Sequence, residues 1–288
     1  MKPAAFEYFR PVSIEDALRQ LAGFAPEGKL IAGGQSLAPM MNMRLARPAQ
    51  LIDVNDLTEL AYVREAGGWL RIGALTRHHE LAASALVRRH CPLLAQAAQT
   101  IGHYAIRQRG TIGGSLAHAD PAAQLPLVAV TLGVRLHLRR QDGERTVDAG
   151  DFFLSAMTTA LAPDEMIEWI EVPKAQPGEA AAFRLFNRRH GDYAIIAAAA
   201  TVECEGGTVR RLRLGVGGAA AVPQSLRTLA EAARGRLADD GWVAEVAQAA
   251  AQQVAVEEDA RVSVQYRREL TELLVGRALG RALTRLRA

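Results

Sequence analysis

The chain has 288 residues, 49% hydrophobic and 23% charged, the balance of a soluble globular protein with chain enough for about two domains. Its 34 basic and 31 acidic side chains leave a net charge of only +3, spread along the chain, which gives no nucleic-acid footprint. The longest strongly apolar run, Ala194 to Val202, falls far short of the ~20 residues of a membrane span, and the start lacks the apolar stretch of a secretion signal, so a cytoplasmic location is expected.

Ser13 with Glu15 and Asp16 marks a helix start, and Ile14, Ala17, Leu18 and Leu21 follow at helical spacing. A strand over Lys29 to Ala32 ends at Gly33-Gly34, a helix is predicted from Ser36 to Leu45, and Leu51 to Val54 reads as a strand. A hairpin pairs Ala61–Arg64 with Trp69–Ile72 across Gly67-Gly68. Thr76 is the predicted cap of a helix through Leu81, and His78-His79-Glu80, with no second His at a metal-binding offset, reads as its solvent-facing start. A helix is predicted from Pro92 to Ile106, and another from the Asp120-Pro121 cap to Gly133.

Val134–Arg139 and Glu144–Val147 flank Asp142-Gly143, and Met166–Val172 is a further strand. Pro173 to Gly178 carries two prolines and a glycine and sets the predicted boundary: residues 1–177, with subdomains of about 1–57 and 58–177, then 178–288. Beyond it come three antiparallel strands, Ala181–Arg189, Tyr193–Glu203 and Thr208–Gly217, and three helices. The last, Tyr266 to Arg287, points Leu270, Leu273, Leu274, Leu279 and Leu283 inward. Cys91 and Cys204 are too few to ligate an iron–sulfur cluster, so redox chemistry in this chain requires an organic cofactor.

Two predicted Gly-Gly turns share one grammar: Ala32-Gly33-Gly34-Gln35-Ser36-Leu37 and Thr111-Ile112-Gly113-Gly114-Ser115. Glycine permits positive φ and a bare backbone, and successive N–H groups can then converge on one anion beside a hydroxyl donor. Such pairs also make ordinary tight turns; two of the same kind suggest two walls around one diphosphate. Two other patterns compete. Gly34-Gln35-Ser36-Leu37-Ala38 nearly matches a nucleophile elbow, which would make Ser36 the nucleophile of a serine hydrolase with His118 or His190 as base. Gly215-Val216-Gly217-Gly218-Ala219-Ala220 matches a dinucleotide fingerprint but sits in an antiparallel meander, and reads as a strand end. A non-catalytic scaffold subunit is a further alternative.

The long run Thr111-Ile112-Gly113-Gly114-Ser115-Leu116-Ala117-His118-Ala119-Asp120-Pro121-Ala122-Ala123 resembles the FAD-binding subunits of molybdenum hydroxylases, the carbon monoxide dehydrogenase and xanthine dehydrogenase family. Ala32 to Ser36, Phe6-Glu7-Tyr8, Leu70 to Thr76, Asp151-Phe152-Phe153, Gly191-Asp192-Tyr193 and Tyr266-Arg267-Arg268 extend the resemblance almost end to end. It implies an α+β fold like that of vanillyl-alcohol oxidase and p-cresol methylhydroxylase. Two subdomains hold FAD between them, and a C-terminal domain of a three-stranded antiparallel sheet with helices covers one side.

It also implies that Ala32 to Leu37 and Thr111 to Ser115 wrap the FAD pyrophosphate through backbone amides. Ile101, Ile167 and Arg184 fall at further contact positions, and Asp192 and Tyr193 face the isoalloxazine, with Tyr193 covering the ring. Gln124 stands where the family usually has a second acid, which alters the charge beside the cofactor. The chain needs no catalytic residue of its own. The implied partners are a large subunit with a molybdenum cofactor and a small subunit with two 2Fe-2S clusters, in a dimer of heterotrimers.

Overall fold

In the computed structural model, which describes residues 2–260 and 262–287, the chain opens on a parallel sheet in the order Glu7–Phe9, Gln50–Asp53, Gly28–Ile31. Helix Ile14–Phe24 covers it, capped by Ser13, whose hydroxyl accepts from Asp16 N. Its apolar stripe of Ile14, Ala17, Leu18 and Leu21 packs on Ile52, Val54 and Leu57. The second part is a five-stranded antiparallel sheet, in the order Val63–Ala66, Trp69–Gly73, Met166–Pro173, Arg135–Arg140, Gly143–Asp148. The long connection between its second and third strands in sequence carries six short helices that bury one sheet face.

The C-terminal sheet runs Glu179–Phe186, Ile196–Glu205, Thr208–Gly217 and a short fourth strand, Gln224–Ser225, not anticipated from sequence because two residues carry no alternation. Both faces of this sheet are covered. Ala197 and Ala199 point into the core shared with helices Pro92–Gln99 and Gln124–Leu132, while Ala198, Ala200 and Val202 point under the C-terminal helices. Side chains alternate along a strand, so a run of small residues lets helices approach from both sides. That is why Ala194 to Val202, Thr201 apart, is apolar. Among the described residues no helix is long and apolar enough to cross a membrane.

Several expectations are corrected. The helix predicted from Pro92 to Ile106 breaks after Gln99, because Gly102 adopts φ +46, and resumes over Tyr104–Arg109. Arg107 holds the break by donating to the carbonyls of Ile101 (2.9 Å) and Gly102 (3.0 Å). Asp120 does not cap a helix: its carboxylate accepts from Ala122 N at 2.8 Å, an Asx turn, and the helix starts at Gln124. Thr76 gives its hydroxyl to Tyr62 O, leaving Arg77 as the cap of His78–Ala83. The helix expected over Ser36 to Leu45 is only Leu37–Asn42. Leu273 on the final helix, Val264–Arg287, is 46% exposed and points outward, while Leu270, Leu274, Leu279 and Leu283 are buried as predicted.

Candidate functional site

Strand Gly28–Ile31 ends in the first glycine segment, and Gly34 takes φ +69 to turn the chain. Among the described residues no hydrogen bond consumes the N–H groups of Gly33, Gly34, Gln35, Ser36 or Leu37. The first donor in use is Ala38, to Gly34 O at 3.0 Å. Successive free amides on a bent backbone form an anion-binding concavity, so this segment fits a diphosphate. Gly33 itself is buried: a Cβ there would lie 2.8 Å from Gly110 Cα and closer still to Arg109 O. The first glycine segment therefore packs backbone to backbone against the residues that lead into the second.

The second segment is not a turn. Thr111 caps helix Ile112–His118, and both glycines lie in its first turn. The helix forms despite the low helical propensity of glycine because its opening amides are all satisfied. Ile112 N donates to Thr76 O (3.0 Å), Gly113 N to Ala74 O (2.9 Å), Gly114 N to the Thr111 hydroxyl (3.1 Å) and Ser115 N to Thr111 O (3.0 Å). Gly113 is required by close approach, since a Cβ would sit 2.6 Å from that of Ala74. Gly114 is exposed and meets only the Thr111 hydroxyl. With the amides of residues 112–115 occupied and Thr111 buried, this segment offers a ligand the bare Cα of Gly114 and the Ser115 hydroxyl.

Sequence reasoning missed the side chains that join the two segments. Asn55 donates to Ala32 O at 2.7 Å, and Arg77 donates to Asn55 Oδ1 at 2.7 Å and also to Arg109 O. One Asn–Arg strut thus ties the carbonyls that precede each glycine segment. Asn55 sits two residues after Asp53, whose carboxylate orients it, a local Asx signal; nothing in the spacing marks Arg77 as its partner. His78 was expected to face solvent, yet it is 3% exposed, with Nε2 2.9 Å from both Thr111 O and Ser115 Oγ. Burial pushes its pKa down from 6.5 to about 4.

The His78 shift has a testable consequence. Between about 4 and 6.5 the unfolded chain carries a proton on this ring that the folded chain does not, so stability falls as pH drops through that window. From pH 7 to pH 5 the His78 share of the loss is expected to be about 2 kcal/mol. Urea unfolding of wild type and His78→Gln at both pH values isolates it, and an equal acid loss in the two proteins would contradict the assignment.

Tyr193 lies in the loop before strand Ile196–Glu205 and is 52% exposed, with its phenol beside Ser36 and Asp120. Burial of that end and the Asp120 charge push its pKa up, while the Ser36 hydroxyl pulls it down. Burial likewise raises the pKa of Asp120. Gly191 in the same loop abuts His103, which follows Ile101 and Gly102 at the helix break. The fold therefore gathers Ser36, Asp120 and Tyr193, and brings the loop of Asp192 beside the Ile101 segment. Gln124 is buried and donates to Thr100 O at 3.3 Å, a bond an ionised acid would be unable to make. Ile167 lies in the core, and Arg184 bonds the adjacent Phe183 O on its strand. Ile167 shares that core with Ile112 of the second segment, whereas Arg184 makes no described contact with either glycine segment. Ser36 makes no described hydrogen bond to His118 or His190, so the hydrolase elbow lacks its base, and Gly215 to Ala220 is a strand end as read.

Residues 4–175 match the family described as the FAD binding domain in molybdopterin dehydrogenase, and residues 181–282 match the CO dehydrogenase flavoprotein C-terminal domain. The chain is 40% identical to the 6-hydroxypseudooxynicotine dehydrogenase complex subunit alpha of Paenarthrobacter nicotinovorans, covering 100% of this chain and 97% of that one. It is 37% identical to the carbon monoxide dehydrogenase medium chain of Hydrogenophaga pseudoflava, covering 99% of each. Its fold superimposes on carbon monoxide dehydrogenase from the same organism with a TM-score of 0.94 at 36% identity, over 99% of both chains. The match to quinoline 2-oxidoreductase from Pseudomonas putida 86 also has a TM-score of 0.94, at 31% identity over 99% of both. By sequence and by fold, the chain belongs to the FAD-binding medium subunits of the molybdenum hydroxylases.

Proposed function

We propose that the free amides of Gly33 to Leu37 and the hydroxyl of Ser115 hold the diphosphate of one FAD, with the bare surface of Gly114 allowing its close approach. The observation that carries this reading is the pairing of five amides that are unsatisfied among the described residues with a backbone-packed neighbour whose amides at residues 112–115 are engaged. Bound FAD supplies the exchange between one-electron and two-electron carriers. The chain's own groups bind and orient it. Neither cysteine competes for redox work: burial holds the Cys91 thiol protonated, with its pKa pushed up to about 12, and also raises that of Cys204.

In this reading Tyr193 covers the flavin ring beside Asp192, and Ile101, Gln124, Ile167 and Arg184 complete the surroundings. A small subunit with two 2Fe-2S clusters delivers electrons singly, a large subunit with a molybdenum cofactor generates them, and an external acceptor removes them in a cytoplasmic dimer of heterotrimers. Co-purification of the chain from its native host tests this: about one FAD per chain, with molybdenum and iron in the accompanying subunits, is expected. A flavin-free chain with no such subunits would contradict it.

Tyr193→Ala should leave FAD bound and raise the rate at which oxygen reoxidises the reduced flavin several-fold. Stopped-flow absorbance reads this directly, and an unchanged rate would remove Tyr193 from the path.

A further inference from the structure

The second glycine segment has spent the amides of residues 112–115 within the protein and Thr111 is buried, so the Ser115 hydroxyl is the accessible donor it has left to give. The direction of that hydroxyl is set by His78. The Nε2 atom lies 2.9 Å from Thr111 O, which only accepts, so Nε2 carries the hydrogen. Nδ1 is buried with no partner among the described residues, and Gly110 is packed so tightly there that a Cβ would fall 2.7 Å from it. A hydrogen on Nδ1 would therefore be buried unsatisfied and would leave Nε2 with its lone pair against the Thr111 carbonyl. The Nε2–H tautomer alone satisfies both surroundings. The Nε2–H is then shared between Thr111 O and Ser115 Oγ, also 2.9 Å away. Ser115 accepts from His78, which leaves its own hydrogen pointing away from the ring.

We propose that His78 is a positioning residue for cofactor binding, holding Ser115 as an acceptor from the imidazole so that its hydroxyl donates to the FAD diphosphate. This rests on the FAD reading above and deepens it. The depressed pKa of His78 keeps the ring neutral at physiological pH, as the arrangement requires. His78 also anchors the segment through its backbone, with His78 N donating to Gly110 O at 3.0 Å, a bond that side-chain variants leave intact.

A double-mutant cycle on the full chain, stripped of flavin and titrated with FAD, tests the proposal. Ser115→Ala and His78→Leu should each weaken FAD binding about tenfold, the scale of one hydrogen bond to a charged group. The double variant should be no weaker than either single one, because His78 acts through Ser115. His78→Gln, which restores an N–H donor near the Nε2 position, should recover most of the affinity and stays informative if His78→Leu fails to fold. Additive losses, wild-type affinity in His78→Leu, or failure of a folded His78→Gln variant to recover affinity would overturn the positioning role. A wild-type chain that takes up no FAD would instead remove the functional reading, and this proposal with it.

Discussion

Gly114→Val is expected to abolish measurable FAD uptake while leaving the protein folded. Gly114 is exposed, and a Cβ there would approach only the Thr111 hydroxyl, at 2.9 Å. That hydroxyl can rotate away, at the cost of the cap it provides to Gly114 N, about 1 kcal/mol. Valine is a slightly better helix residue than glycine, which offsets part of the loss. The melting temperature should therefore stay within about 4 °C of wild type. The isopropyl group would occupy the surface against which the diphosphate must lie, so FAD affinity should fall at least about 100-fold, the effect of obstructing a close backbone approach. Flavin content after purification and a fluorescence titration check this, and normal flavin content in a folded variant would contradict it. The adjacent Gly113 faces inward against Ala74, so substitution there destabilises the fold instead.

Gly33→Ala is expected to show the largest loss of stability. The added Cβ would fall 2.8 Å from Gly110 Cα and closer to Arg109 O, both backbone atoms that no rotamer change can move. The two glycine segments would have to separate, straining Arg77, which donates to that same Arg109 carbonyl and to Asn55. Overpacking against fixed backbone costs about 3 kcal/mol, which corresponds to a fall in melting temperature of about 6–12 °C. FAD affinity should fall as well, since the spacing of the two walls is what changes. Calorimetry reads the first effect; an unchanged melting temperature would show that the segments do not pack as described.

Much of this architecture was legible because its signals are local. Ser13 capped the first helix, Gly67-Gly68 turned one hairpin, the second hairpin turned one residue early at Gln141-Asp142, and the long glycine-containing run identified the family. The errors arose where a distant contact overrode a local preference. Paired glycines at 113 and 114 read as a turn, but hydrogen bonds that Ile112 N and Gly113 N donate to the carbonyls of Thr76 and Ala74 hold them in a helix. Asp120 before Pro121 read as a cap, yet its carboxylate closes its own Asx turn. The alanine run before Val202 gave a strand but not the reason for its composition, which is helix packing on both faces. The polar side chains around the site were the least visible. Asn55, Arg77 and His78 act across gaps in sequence of more than twenty residues, and each looks like an ordinary surface residue until the glycine segments are folded together.

The most direct test of the central claim is a crystal structure of the chain loaded with FAD. The diphosphate is expected against the amides of Gly33 to Leu37, over the bare Cα of Gly114 and within hydrogen-bonding distance of Ser115 Oγ. A diphosphate bound elsewhere, with those amides turned to solvent, would contradict it.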